Sequence, residues 1–428
     1  MSEVITLSER EQQKLTIIMN ALKSKITNGQ AAKLLDLSPR QIKRLKQKVR
    51  LMGAKAVVHG LTNRKSNHAF SETVKQETLA LIEKNYRDFK PGFATEKLTE
   101  FHGVEITSQT VRMWMREKGL WKTRKQKNIG TYHAWRPRKE YFGELEQFDG
   151  CYHYWFENRF MDLEGQPIEV CLLAAIDDAT STVTKARFVP HEGVVPVFLF
   201  WKAYMEEKGK PLKIYLDKFS TYKINHKSAV DNEKLMTQFQ RAMQTLEIEL
   251  ITAHSPEAKG RIERLFETFQ DRLVKEMRLA KINTPDDGNK FLLDIFIPQF
   301  NARFSVAPTK EGNVHQPLSK MENKNSNRIF SVQSKRIVNN DFTTQFKNTW
   351  YQLAEIQPTT VRARDTMLVE EWIDGTIHFS LKEQYLTYTV LPERPKKTKV
   401  NPVILTTHRL NWKPKATHPW NKSYLPKA

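Results

Sequence analysis

Cysteine is nearly absent from this chain of 428 residues, which has only Cys151 and Cys171. Two are too few for a disulfide framework or a cysteine-based zinc site. No run of about 18 uncharged apolar residues occurs that could cross a membrane. The opening residues, Met-Ser-Glu-Val-Ile-Thr, lack the basic and then apolar pattern of a secretory signal. The expectation is a cytoplasmic protein with no membrane partner, its two thiols reduced and in the core. Acidic residues are also in deficit, 48 against 69 Lys and Arg, which gives a formal net charge of +21 and a pI near 9.7. A polyanion is the expected partner. Apolar residues make up 39% of the chain and aromatics 10%, enough for sizeable cores in roughly two to four domains.

The positive charge is bunched. Arg40 to Arg50 holds six basic residues and no acid, Lys122 to Lys139 seven and none, and Arg394 to the C-terminus nine and none. Ser8, Thr27 and Ser38-Pro39 stand where caps would open three helices, with Leu15, Ile18, Met19 and Leu22, then Ala31, Leu34 and Leu35, then Ile42, Leu45 and Val49 inward. Helix, short helix, turn and basic helix is a helix-turn-helix pattern. In it Arg40, Gln41, Arg44 and Gln47 face outward and can enter a major groove. A three-helix bundle with a solvated basic face is the plainer alternative, and the clustering of charge on the third helix favours DNA. From Ser71 the pattern repeats, with Gln109, Arg112 and Arg116 outward and Trp114 and Trp121 assigned to the core. Lys122, Arg124 and Lys125 open a basic linker in which phosphate contacts are expected.

A second kind of signal lies further on. Ser255-Pro256-Glu257-Ala258-Lys259-Gly260-Arg261-Ile262-Glu263-Arg264 reads as a loop turning into a helix, with Ile262, Leu265, Phe266, Phe269, Leu273 and Met277 on one buried face. Glu263 sits beside that face near the helix start. Two short strand-like runs upstream carry Asp149 and Asp217, each where an unpaired charge would be costly. Three carboxylates on adjoining elements would make a hard-oxygen cage for Mg²⁺ or Mn²⁺. Asp177 and Asp178 are a decoy, because adjacent strand residues point to opposite faces and acids are common in turns between strands. Glu267, one turn beyond Glu263, is expected to pair with Arg264 instead.

Runs at 144–151, 168–176 and 182–189, a helix 194–207, a strand to Asp217, a helix 232–246, a strand 248–252 and the Glu263 helix give the order βββαβαβα. That order suits a mixed five-strand sheet flanked by helices. A polar insert with Lys218, Lys223, His226 and Lys227 follows Asp217, and serves equally well to line DNA or as a solvated loop. A further helix through Phe291 to Phe304 is expected to kink at Pro298. From Arg336 to Val390, short strands with Asp374-Gly375 as a hairpin turn suggest a small β-barrel, and the Pro- and Lys-rich remainder is expected to be extended.

The order Asp…Asp…Gly-x-x-Glu-Arg, with its Ser-Pro-x-x-Lys-Gly lead-in, resembles the integrase-type DDE transposases of bacterial insertion sequences. Asp217-Lys218-x-Ser220 and the paired helix-turn-helix patterns bring it nearer to the ISNCY group. The likeness runs over about residues 8 to 390 and is most specific from Asp149 to Arg264. It implies a multidomain α/β protein with a ribonuclease-H-like mixed-sheet core. It further implies that Asp149, Asp217 and Glu263 form a metal-binding triad for two Mg²⁺ ions, with Mn²⁺ able to substitute. The expected activity is binding of terminal repeats, metal-assisted cleavage of the ends and joining of 3′-hydroxyls to target DNA. The working species would be a homodimer or larger on double-stranded DNA, in the nucleoid. The expected domains are helix-turn-helix units at 1–58 and 71–122 joined by a linker 59–70, a basic linker 123–143 and a core 144–310. A linker 311–335, a β-barrel 336–392 and a basic tail 393–428 complete them. A serine or tyrosine recombinase is the rival enzyme, but Ser220 and Tyr222 lack an Arg-rich framework. A non-catalytic DNA-binding regulator, or a nuclease that only cleaves, is the alternative from another class.

Overall fold

The computed structural model describes residues 7–59, 69–123, 137–216, 232–252, 260–393 and 418. The chain divides into two compact units, Met1–Lys122 and Thr123–Ala428.

The first unit is helical. Helices α1 (Glu9–Leu22), α2 (Asn28–Leu35) and α3 (Pro39–Met52) are followed by α4 (Glu72–Asn85), α5 (Pro91–His102) and α6 (Ser108–Glu117). Their starts are set by side chains that satisfy free backbone amides. Thr27 and Ser38 accept from Gln30 N and Gln41 N, and both glutamines reach back to the cap residue, closing capping boxes. Ser71 and Thr107 cap α4 and α6 by accepting from Val74 N and Thr110 N. Ile18, Ala21, Ala31, Ile42 and Val49 form the core of the first three helices. Leu34, expected inward, is 64% exposed, because the short α2 turns Ala31 and Ala32 inward instead. In the second group Trp114 is buried with the Phe70 ring edge-on at 5.8 Å, whereas Trp121 is only half-buried.

The second unit is built on a mixed sheet. Its elements are β1 (Glu146–His153), β2 (Val170–Asp177), β3 (Val183–Val189), α7 (Val194–Lys208), β4 (Lys213–Leu216), α8 (Asn232–Thr245), β5 (Glu249–Thr252) and α9 (Gly260–Leu279). The strand order is β3-β2-β1-β4-β5, with β1–β2 and β2–β3 antiparallel and β1–β4 and β4–β5 parallel. The unbroken apolar run of β2 follows from its place in the sheet. Cys171, Leu173 and Ala175 pack with Phe198 and Trp201 of α7 and Phe239 and Met243 of α8. Leu172, Ala174 and Ile176 pack the other way, with Ile262, Phe266 and Phe269 of α9.

Helices α10 (Pro285–Phe291) and α11 (Ile297–Phe304) close the α9 side, joined by a π-helical turn over Leu292–Phe296. That wider turn stands just before Pro298, where a kink is expected: the ladder loosens ahead of the residue that has no N–H to give it. Asn289 and Asn301 hold this layer to β3 through paired amide bonds. Asn301 Oδ1 accepts from Val183 N at 2.8 Å and its Nδ2 donates to Val183 O at 2.9 Å. Asn289 does the same at Phe188, at 2.7 and 3.1 Å.

The stretch expected as a linker, 311–335, is docked on the sheet unit. Val314 N donates to Phe142 O, and Lys210 and Gln316 exchange backbone bonds of 2.7 and 2.9 Å. Helices α12 (Lys320–Lys324) and α13 (Ser326–Ile329) lead into β6 (Val332–Ile337), β7 (Thr343–Phe346), β8 (Thr349–Leu353), β9 (Thr366–Glu371), β10 (Ile377–Leu381), β11 (Gln384–Tyr385) and β12 (Tyr388–Leu391). These strands form two sheets, β11-β10-β9-β6 and β12-β8-β7, over one core that includes Phe342, Tyr351, Val369 and Phe379. The strand expected at Val361 to Arg364 does not form, and Arg364 takes a left-handed φ of 69° that ends extended pairing. Strands β6 and β7 were not legible from alternation alone. Gly375 supplies the positive φ of the β9–β10 turn, with its N–H on Trp372 O.

His315 locks the docked stretch. Asn313 Oδ1 accepts from both His315 N and Nδ1, so Nε2 is left to accept from Tyr204 Oη at 2.7 Å. The ring fills the space over Gly143, where a β-carbon would run into it. Burial, with the nearby Lys208 charge, depresses the His315 pKa from 6.5 to about 4. The folded pKa therefore lies below the unfolded one, so this contribution is intact above pH 6.5 and is lost as pH falls toward 4. Urea unfolding followed across that window should show stability falling with acidity more steeply in the wild-type protein than in His315→Gln. Parallel slopes in the two proteins would rule out this titration.

Candidate active site

Alternation along β1 decides which way its carboxylate points. Phe148 packs in the α7–α8 core, while Cys151 packs on the α9 side. Residues 147, 149 and 151 share that second face, since successive strand residues alternate. Both neighbours of Asp149 on it bond α9: Gln147 Oε1 accepts from Ile262 N at 3.3 Å, and Gln270 Nε2 donates to Cys151 Sγ at 3.4 Å. Asp149 is thus presented to the α9 side between two points of attachment. It is half-buried, and its Oδ1 accepts from Gly150 N at 3.0 Å. Glu263 stands in the first turn of α9, exposed, next to buried Ile262. All the apolar positions read as the buried face of α9, from Ile262 to Met277, are in its core contact.

Asp178 carries the attachment. Fully buried, it accepts from Lys139 N at 2.9 Å, from Gln147 Nε2 at 2.7 Å and from Arg261 Nη1 at 2.7 Å. One carboxylate therefore holds the incoming chain, the central strand and the first turn of the helix that bears Glu263. Asp177 is equally buried, accepting from Gly143 N and from the N–H and hydroxyl of Thr180. Burial raises its pKa above 3.8. Neither acid is a simple solvated turn residue. Behind them Glu146 is buried with Thr184 Oγ1 on its Oε2, and burial together with Asp177 pushes its pKa well above the usual range.

Asp217 falls outside the described residues, as do Arg124, Lys125, Ser220, Tyr222, the insert lysines, His226 and the Ser255–Lys259 lead-in. Among the described residues, no three of His, Cys, Asp and Glu gather as a metal-holding group. Arg264 donates its Nε to Gly260 O at 2.6 Å, a bond within its own helix, in place of the expected pairing with Glu267. The Cys151 thiol is pushed up to about 11 by burial, which excludes it as a thiolate nucleophile at neutral pH.

The outward residues of the helical unit are exposed: Arg40, Gln41, Arg44 and Gln47 on α3, Gln109, Arg112 and Arg116 on α6, and Lys122. Two of them have local duties that spacing did not reveal. Gln41 Oε1 accepts from Ser38 N at 3.0 Å and so closes a capping box. Gln109 Oε1 accepts from Arg112 Nη1 at 3.1 Å, and the Arg112 guanidinium lies 5.8 Å from the Trp121 ring centre. Sequence reasoning also missed Gln147 and the Asp178–Arg261 pair. The only signal for them was a glutamine in a strand run and an acid just after the apolar run of β2, with an arginine in the helix motif.

No protein-family model matches the chain. It is 34% identical over 408 residues to a protein named transposase y4bF of Sinorhizobium fredii, covering 95% of this chain and 86% of the relative. To the transposase for insertion sequence IS1202 of Streptococcus pneumoniae it is 29% identical over 459 residues, covering 97% and 95%. Among solved structures, a simian T-cell lymphotropic virus intasome, in complex with PP2A regulatory subunit B56 gamma, matches with 14% identity and a TM-score of 0.30. That match covers 69% of this chain and 99% of the other. A likeness that runs through nearly the whole length of y4bF shows the family: the chain belongs to the transposases of insertion sequences.

Proposed function

We propose that the protein is a DDE transposase with a ribonuclease-H-like core. It binds the terminal repeats of its element through two helix-turn-helix domains, cleaves the ends by metal-assisted phosphodiester hydrolysis and joins the 3′-hydroxyls to target DNA. The observation that carries this reading is the sheet register. Glu146 lies opposite Ile214 and Gln147 opposite Tyr215 on parallel strands. Strand β4 ends at Leu216, the residue before Asp217 in the sequence, and α9 brings Glu263 to the side that Asp149 faces.

The donor set suits a hard cation. It is all carboxylate, and the one half-buried thiol on the same face is held protonated. Asp149, Asp217 and Glu263 would hold two Mg²⁺ ions, or Mn²⁺ in their place. When bound, such ions supply Lewis acidity and lower the pKa of water. The protein's own part is to fix the carboxylates: Gln147, Asp178 and Arg261 hold strand and helix in register, and the apolar sheet core keeps them there. The small C-terminal β unit, read as an open barrel, and the basic tail add DNA contacts. Joining two ends to one target requires two active sites, so a homodimer or larger assembly on DNA is part of the proposal.

The direct test incubates the protein with Mg²⁺ and the DNA ends flanking its own coding segment, followed by sequencing of joined products. Asp149→Asn, Asp217→Asn and Glu263→Gln should each abolish cleavage and joining while leaving end binding intact. Wild-type turnover by any one of them would remove that residue from the site. Cleavage without joining would make the protein a nuclease.

In the helical unit, Arg44→Ala should relax base preference at one position of the site, by about 1–3 kcal/mol, as expected for a lost arginine contact to a base. Lys122→Ala should instead weaken all DNA alike and reduce the salt dependence by about one charge. If Arg44→Ala weakened end and random DNA by the same factor, α3 would not be a reading helix.

Asp178→Ala should lower stability by about 3 kcal/mol, because it removes the buried carboxylate that Arg261 and Gln147 each meet at 2.7 Å. Cleavage should fall with it as α9 loosens. Denaturant titration checks the first effect, and a loss under about 1 kcal/mol would show that the carboxylate does not hold the helix.

A further inference from the structure

Beside the carboxylate face of α9 runs a second stripe. Arg261, Arg264, Leu265, Thr268 and Arg272 recur at helical spacing on a flank next to Glu263. The upper part of this stripe, with Arg138, Ser181, Phe300 and Phe304, lines a cavity of about 220 Å³. Phe304, at the end of α11, is 38% exposed, and its ring packs 4.7 Å from that of Phe300. Two guanidiniums attend it, Arg272 at 5.1 Å and Arg303 at 5.8 Å from the ring centre. Among the described residues, Arg138 and Arg264 bond only neutral oxygens: Ala179 O and Ser181 Oγ for one, Gly260 O for the other. Their positive charge is not offset there by a carboxylate.

We infer that this cavity is a binding site for one unpaired nucleotide of a DNA strand, its base against Phe304 and its phosphate on Arg138 and Arg264. Each part of the lining matches one part of such a ligand. An exposed aromatic ring flanked by guanidiniums stacks a base of any sequence, and arginine forks take phosphate oxygens. Inside a duplex the bases are already stacked on both faces and would leave the ring unused, whereas a single-stranded tail satisfies both halves. The site lies one helical step from Glu263, so a strand held there would leave the carboxylate face already unpaired. This inference deepens the proposed DNA processing and rests on it for its meaning, although binding itself needs neither metal nor turnover.

The test measures affinity of the full-length protein, in EDTA, for two fluorescent DNA hairpins that differ only in ending blunt or in a short single-stranded tail. The wild-type protein should prefer the tailed hairpin by about tenfold, the scale of one base stacked on an aromatic ring. Phe304→Leu keeps apolar volume against Phe300 and should erase the preference with blunt binding unchanged, while Phe304→Trp should retain it and Arg264→Ala should narrow it. No preference in the wild-type protein, or one that survives Phe304→Leu, would overturn the inference. So would equal weakening on both hairpins, which would make the patch a duplex phosphate contact. Because no cleavage is scored, a wild-type protein that prefers tails but never joins ends would defeat the proposed function and leave this site standing; one that joins ends without the preference would do the reverse.

Discussion

A single buried negative charge organises the second unit. Asp178 lies in the interior with an arginine, a glutamine and a backbone amide around one carboxyl group. A buried ion is tolerated only when its lone pairs are met, and each of the three donors that meet them lies at least 31 residues from Asp178 in the chain. The consequence is geometric. Strand β1 and the start of α9 cannot slide relative to one another without stranding that charge, so Asp149 and Glu263, which they carry, are held in register.

Hydrophobic packing supplies the rest of the rigidity. Strand β2 is covered on both sides, and the helices on its two faces bury large aromatics, Trp201 and Phe198 on one and Phe269 on the other. A sheet sandwiched in this way gives little room for movement of β1, the strand beside it. The polar groups that face α9 along β1 are therefore exceptions in an apolar setting. Gln147 is there to bind a helix amide, and Asp149 is presented beside it.

Much of this was legible because period decides element. The βββαβαβα order and its mixed sheet followed from runs of apolar residues whose spacing changes between strand and helix, and the buried face of α9 was correct at every position named. What was not legible depends on pairing across the sequence. Gln147, Asp178 and Arg261 are three ordinary polar residues until the fold places them together. Asp177 and Asp178 looked like turn acids because local reasoning sees only their neighbours, whereas their partners lie at Gly143, Lys139 and Arg261. The docking of Asn313 to Gln316 was hidden likewise, since a polar stretch with one histidine reads as linker unless Tyr204 is known to face it. Strands β6 and β7 lack clean alternation, β6 being half-buried to exposed throughout.

The asparagine clamps on β3 have a consequence for how copies of this protein can meet. Strand β3 is an outer strand of the sheet, and an outer strand offers its amides and carbonyls to any passing strand, the usual route to fibres. Here Asn289 and Asn301 take the backbone groups of Phe188 and Val183 on themselves, so that side-chain amides imitate the neighbour that a foreign strand would be. With those groups taken from within, this border of the sheet is less open to a strand from another copy, so two copies can approach there without fusing their sheets.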